Sequence, residues 1–211
     1  MEDSKCKICR RVGEKLFLKG DKCSSQKCPF LRKPYPPGVP AKRRRQRRRR
    51  ISEYGAQLKE AQKLKKTYGI DERQFKKIIK EILKRRGKED ISELLLKKIE
   101  KRFSNIIYRA GLAKSRDSAR QLVSHAHFIL NSRKANIPSL KIKVGDEIKL
   151  KERSKNNTYF KNIIPLIKTE NIPSWLFFDK GKGVIKVVRE PNVEEIGAKI
   201  DVPLVLAFYS K

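Results

Sequence analysis

Apolar residues along this chain first recur at helical spacing and later, beyond about residue 128, at the closer spacing of short strands. In "DERQFKKIIKEILKRRG", Phe75, Ile78, Ile79, Ile82 and Leu83 fall at i, i+3, i+4, i+7 and i+8, the stripe of an amphipathic helix that buries one face. Asp71 with Gln74 supplies a capping-box start and Gly87 a stop. Upstream, "EYGAQLKEAQKLKKTYG" predicts a helix capped by Ser52 and ended by Gly69, with Leu58, Ala61, Gln62 and Leu64 to one side. A third helix is expected from Asp90 and Glu93 through Leu95, Ile99, Phe103, Ile106 and Ile107 towards Gly111. From Ser115, "SRDSARQLVS" reads as a short capped helix with Ala119, Leu122 and Val123 inside and Arg116, Arg120 and Gln121 outside.

Strand-like segments follow. "FIL" is the first, and "LKIKVGDEIKLKE" alternates apolar and charged residues about Gly145-Asp146, the pattern of a half-buried antiparallel hairpin. "SWLFFD", "GVIKVVRE" and "PLVLAFYSK" read as later strands, with "NTYFKNIIPLIKTENIP" partly helical. "RKPYPPGVP", with four prolines and a glycine, excludes helix and separates the first 31 residues from the rest.

Charge changes the picture. Lys and Arg number 54 against 23 Asp and Glu, a formal +31 on 211 residues. Such a field calls for a polyanion. Membrane is the weaker partner, because no run approaches the roughly 18 apolar residues of a spanning helix, and "MEDSKCKIC" shows no leader pattern, so a soluble, unprocessed chain is expected. The densest run is "KRRRQRRRR", with Arg43, Arg44, Arg45, Arg47, Arg48, Arg49 and Arg50. With 38% hydrophobic residues, the segment after that run can still bury a core.

All four cysteines precede the run, as Cys6, Cys9, Cys23 and Cys28, in the spacing C-x2-C, thirteen residues, C-x4-C. Two close pairs suit a four-thiolate zinc site, which is closed to substrate and therefore structural. Neighbouring lysines and arginines favour thiolate. The pairs would project from tight turns, joined by a hairpin-like "EKLFLKG". Disulfides, in any of three connectivities, and unrelated free thiols are the other readings.

Phosphate loops, nucleophile elbows and H-E-x-x-H helices are absent from the sequence. The only histidines, His125 and His127, lack a third ligand in their vicinity and suit contact with RNA phosphate or base edges better than metal or general-base chemistry.

"RFSNIIYRAGLAKSRDSARQLVSHAHFILNSR", with "IPS" and "VGDEI" after it, resembles the small RNA-binding module named after ribosomal protein four of the small subunit. "ISEYGAQLKEAQKLKKTYGIDERQF", "LVLAFYSK" and the cysteine group extend the resemblance to the zinc-containing bacterial form of that protein's family, over nearly the whole chain. The resemblance implies an α+β architecture. A zinc module and Arg-rich arm would occupy 1–50, and a helical domain 51–100, completed by 190–211. An inserted RNA-binding module would occupy 101–189, with its core at 101–160 and a small antiparallel sheet.

The resemblance further implies a non-enzymatic constituent of the bacterial ribosome, cytoplasmic unless organelle-encoded. Such a protein binds small-subunit ribosomal RNA at a multi-helix junction of the 5′ domain, nucleates assembly of the body and contributes to translational accuracy. Contact with ribosomal protein five, a functional link with protein twelve and a place near the mRNA entry channel come with it. No membrane or small-molecule substrate does. Three departures from the family pattern stand out: Phe103-Ser104 for Leu-Asp, Ala126 for the glycine between the histidines, and Asn131-Ser132 for an Asn-Gly turn.

RNA junctions are read by shape and phosphate, so basic surfaces are the candidate sites. One comprises Arg116, Arg120, Gln121, Ser124, His125 and His127, with Arg116 and Arg120 one turn apart as a phosphate clamp. A second comprises Lys59, Lys63, Lys65, Lys66 and Arg73, and the third is the arm from Arg43 to Arg50. Tyr54, Tyr68 and Tyr108 suit base stacking or burial. The competing functions are a pseudouridine synthase sharing the module, for which too little chain follows residue 160, and a zinc-containing nucleic-acid-binding regulator whose arginine run is a nuclear address.

Overall fold

A computed structural model of the chain describes residues 5–38, 51–84, 90–197 and 200–210. The chain divides into two compact units, residues 1–81 with 199–211 and residues 82–198.

The first unit opens with three short helices, α1 (Lys5–Val12), α2 (Asp21–Ser24) and α3 (Pro29–Arg32). Cys9, Val12 and Leu16 are buried together, with Ile8, Leu18 and Phe30 against them. The hairpin-like segment expected between the cysteine pairs does not form. Gly13, at φ 81°, closes α1, Phe17 takes φ 51° and Gly20 leads into α2, so no two stretches run alongside long enough to pair. Cys6 and Cys9 consequently lie one turn apart on a helix instead of on a tight turn.

Next comes α4 (Glu53–Tyr68), whose N-cap Ser52 Oγ accepts the Gly55 N–H at 3.2 Å and whose C-cap Gly69 is left-handed. It is followed by α5 (Glu72–Leu83), which buries Phe75, Ile78 and Ile79. The stop expected at Gly87 lies outside the described residues.

The second unit begins with α6 (Ile91–Glu100) and α7 (Phe103–Arg109), which the apolar pattern had joined into one helix. Arg102 breaks it by turning extended (ψ 136°) to form an isolated bridge with Lys141. The Phe103 N–H donates to Leu140 O and the Ile142 N–H to Lys101 O, both at 2.9 Å, so tertiary hydrogen bonds replace the helical ones. α6, read from sequence with the helical domain, falls in this second unit.

α8 (Arg116–Ser124) leads into β1 (Phe128–Leu130), β2 (Arg133–Ala135) and β3 (Glu147–Leu150). Then come α9 (Glu152–Lys155), α10 (Thr158–Ile163), β4 (Leu176–Asp179), β5 (Val184–Val187) and α11 (Val193–Ile196). The sheet is antiparallel in the order β2-β1-β3-β5-β4. The hairpin expected about Gly145-Asp146 is therefore absent: β3 pairs with β1 and β5, while the segment before it is drawn to Arg102. The core between sheet and helices holds Phe103, Ile106, Phe128, Phe160 and Trp175, with the Phe103, Phe128 and Phe160 rings meeting edge to face at about 6 Å.

The last element, α12 (Val202–Tyr209), returns to the first unit and packs along α4. This segment was expected as a strand. Asp201 caps it by accepting the Leu204 N–H at 3.2 Å, and Pro203 stands in its first turn, where the missing N–H costs nothing.

Candidate nucleic-acid interface

The short helix α8 is positioned from both ends. Ser115 Oγ accepts the Ser118 N–H at 3.2 Å, and Ala119 and Val123 are fully buried. That leaves Gln121, Ser124 and His125 exposed and Arg116 and Arg120 half-buried along the outer side.

Arg116 is held in place rather than trailing in solvent. Its Nε donates to Asn105 Oδ1 at 2.9 Å, and its guanidinium carbon lies 4.5 Å from the centre of the Tyr108 ring. Asn105 Nδ2 in turn donates to Glu100 Oε2 at 2.6 Å, and Arg109 donates to both Glu100 oxygens at 3.0 and 2.8 Å. Glu100 is wholly buried, so a carboxylate inside the unit fixes the line Asn105, Arg116, Tyr108. Arg116 and Arg120 therefore differ: the first has its Nε committed within the fold, and the second stands one turn further along with no such anchor described.

His125 and His127 also separate. His125 is the exposed C-cap of α8. Ala126 then takes φ 56° and turns the chain back, so that His127 Nδ1 lies 2.9 Å from Ser154 Oγ and its ring meets Phe160 edge-on at 5.5 Å. Burial, then the charges of His125 and Lys151, hold the His127 imidazole below its ordinary range.

The second set of basic residues divides among three environments. Lys59 and Lys66 line one side of a cleft beside α1. Lys63 is buried, 2.8 Å from Glu14 and 3.7 Å from Glu60, so it neutralises carboxylates within the unit. Lys65 pairs with Glu72. Burial alone would raise the Glu72 carboxyl, but hydrogen bonds from Lys65 and Tyr209 and the charges of Lys65 and Lys76 outweigh it and hold it low. Arg73 is exposed. Arg43 to Arg50 lie outside the described residues. Of the tyrosines, Tyr68 is buried, Tyr54 meets Phe208 at 5.6 Å and Tyr108 lies under Arg116.

One basic surface was not read from the sequence. Lys97, Lys98, Lys101, Lys141 and Lys143 rim a cleft of about 390 Å³ floored by Leu94 and Ile142, with Glu190 as its one carboxylate among the described residues. Lys101 Nζ lies 2.6 Å from Glu190 Oε1, and that hydrogen bond, with the Lys101 and Lys97 charges, holds the Glu190 carboxyl low. "KKIEK" and "KIK" are each visible in the sequence, but only the Arg102–Lys141 bridge makes them one surface.

Cys9, Cys23 and Cys28 are buried and Cys6 partly so. Burial raises the Cys9 thiol, a backbone N–H from Leu16 opposes this, and the other three thiols add to the rise. Cys23 Sγ accepts the Lys19 N–H at 3.3 Å. The four thiols thus belong to one small module and two receive backbone donors; sulfur is the ligand type a thiophilic ion such as zinc takes. Among the described residues, however, no three His, Cys, Asp or Glu side chains converge closely enough to hold a metal.

A pre-shaped basic helix on a small antiparallel sheet, in a chain that carries further lysine surfaces, is the chemistry of an RNA-binding protein. Residues 1–100 match the ribosomal protein S4/S9 N-terminal domain and residues 101–148 the S4 domain. Small ribosomal subunit protein uS4 of Caldicellulosiruptor bescii is 46% identical over 98% of this chain and 96% of its own length. The proteins of the same name from Ruminiclostridium cellulolyticum, covering 99% and 98%, and Nitrosomonas eutropha, covering 98% and 97%, are each 44% identical. The chain belongs to the family of small ribosomal subunit protein uS4.

Proposed function

We propose that the chain is a structural constituent of the small ribosomal subunit that binds small-subunit ribosomal RNA and catalyses no reaction. The observation that carries this is identity of 46% over 98% of the chain to a protein named for that subunit. The α8 surface supports it physically: Arg120, Gln121, Ser124 and His125 face outward, with Arg116 oriented by Asn105 and Tyr108. The names of the relatives do not favour a pseudouridine synthase. In this reading the protein works within the ribosome, in the cytoplasm of a bacterium. No helix among the described residues is long and apolar enough to cross a membrane.

The RNA target in this proposal is a multi-helix junction of the 5′ domain, where binding nucleates assembly of the body and bears on accuracy. Ribosomal protein five is the direct partner, protein twelve the functional one, and mRNA passes nearby. The run from Arg43 to Arg50 acts as a strap along the RNA. Cosedimentation with small subunits in high salt tests the whole reading, and a chain that stays in the supernatant overturns it.

Zinc belongs to the same proposal. Cys6, Cys9, Cys23 and Cys28 would hold the ion, which ties α1 to the segment carrying α2 and α3 and so makes up for a core of few residues. Elemental analysis of purified protein should give one zinc per chain, released when the thiols are modified. Metal-free protein with an unchanged melting curve overturns it.

A further inference from the structure

The first unit carries a cleft, shared with Lys59 and Lys66 of the second basic surface, whose apolar walls a phosphate-binding role does not explain. It opens between α1 and α4 and encloses about 230 Å³. Ile8 and Val12 from one helix and Leu58 from the other give it apolar walls, and Gly55 lines it with backbone. Around the mouth stand three cations, Arg11, Lys59 and Lys66, and one amide, Gln62. No carboxylate lines it among the described residues.

A site for phosphates alone needs donors and no apolar wall, whereas a site for an apolar peptide side chain needs no cationic rim. The combination matches a nucleotide: a flat, apolar base face inside, an edge for an amide to read, and phosphates at the rim. The volume is below the roughly 300–1,000 Å³ of pockets that take drug-sized ligands, in keeping with a single base. The chain's own arginine-rich run, "KRRRQRRRR", has the wrong sign to sit among three cations.

We infer that this cleft receives one unstacked base of a single-stranded or bulged RNA segment, with Gln62 reading its edge and Arg11, Lys59 and Lys66 holding the flanking phosphates. The inference rests on the RNA-binding reading above and adds a base-selective subsite to it.

Full-length protein is titrated with a single-stranded RNA nonamer and with the same nonamer abasic at its central position, which keeps every phosphate. Removal of the base should weaken binding severalfold, short of what stacking on an aromatic ring gives, because Ile8, Val12 and Leu58 wall the cleft. Gly55→Leu fills the cleft and should abolish that difference. A Cβ there meets Ile51 Cγ2 and the capping Ser52 Oγ, each at 3.2 Å, so the melting curve of this variant is compared with that of the parent before binding is read. Gln62→Leu, at an exposed position, removes the amide that reads the base edge without adding a stacking ring and should reduce the difference if the first variant misfolds. Lys59→Met should weaken both nonamers alike.

Equal affinity for the two nonamers overturns the inference, as does a base preference that survives both variants unchanged. Displacement of the nonamer by an acidic peptide of matched charge at the same concentration reassigns the cleft to a protein partner. Protein that cosediments with small subunits yet ignores the missing base keeps the ribosomal reading and loses this one. Protein that distinguishes the nonamers but leaves the subunits does the reverse.

Discussion

Non-glycine residues at positive φ mark where single side chains govern this fold. Ala126 (φ 56°) and Ser132 (φ 69°) occupy left-handed positions, Ser132 in the two-residue turn from β1 to β2. The turn keeps its geometry despite the serine because Asn131 clamps it: its Nδ2 donates to Asp146 at 2.8 Å and its Oδ1 accepts the Glu147 N–H at 2.9 Å. Left-handed backbone costs an L-residue about 1–2 kcal/mol, and glycine's greater unfolded-state freedom returns part of that. Ser132→Gly and Ala126→Gly should therefore each stabilise the protein by about 0.5–1 kcal/mol in urea titrations. A loss of stability in both would show that the strain is relieved elsewhere.

His127 gives a second prediction at this scale. Its folded imidazole titrates below its unfolded value, so the unfolded state takes up the proton first. The contribution of neutral His127 is complete above the unfolded value of about 6.5 and falls away as pH drops from there through the folded value. Melting temperature against pH should decline over that interval, and His127→Asn should flatten the decline. Arg120→Ala should weaken binding to a small-subunit RNA junction at physiological salt by about 1–2 kcal/mol, the scale of a charge-assisted contact, without moving the melting temperature. Unchanged affinity would remove Arg120 from the interface.

At the scale of elements, the buried Glu100 joins α6, α7 and α8 through Arg109, Asn105 and Arg116. Removing one partner of a buried pair leaves the other charge uncompensated, so Glu100→Ala should cost about 3–5 kcal/mol by chemical denaturation. It should also weaken RNA binding in the molecules that remain folded, because Arg116 loses its orientation. A loss below about 1 kcal/mol would mean that Arg109 finds water instead.

The same scale shows what the sequence made legible. Ser52, Gly69 and Ser115 announce helix ends through local chemistry, and the structure places each as a cap. Three elements were set by partners distant in sequence. Arg102 breaks a continuous apolar stripe because Lys141 is there to pair with it. β3 takes β1 and β5 as neighbours rather than the segment before it. "PLVLAFYSK" is apolar all round and satisfies either period, until α4 decides for helix. The candidate site followed the same rule. The face of α8 was readable, whereas the burial of Lys63 against Glu14 and the gathering of five lysines around Glu190 depend on tertiary neighbours.

For the whole molecule, charge dominates. With +31 to neutralise, association with RNA should weaken linearly in log–log terms as salt rises, with a slope of about −0.7 to −0.9 per phosphate engaged. A nearly flat response would exclude a phosphate-based interface.

The return of α12 to α4 has a consequence for biosynthesis. Tyr209 donates to Glu72 across 137 positions at 3.0 Å, and its ring meets Phe75 at 5.3 Å. The second unit is contiguous in the chain, while the first closes only with residues 199–211. Domains commonly fold in the order they leave the ribosome, at about 5–20 residues per second. Here the topology favours the opposite order. The unit translated second can complete its core while the unit translated first still waits for a helix not yet made, leaving the α4 face that α12 will cover open to chaperones or to nascent RNA until then.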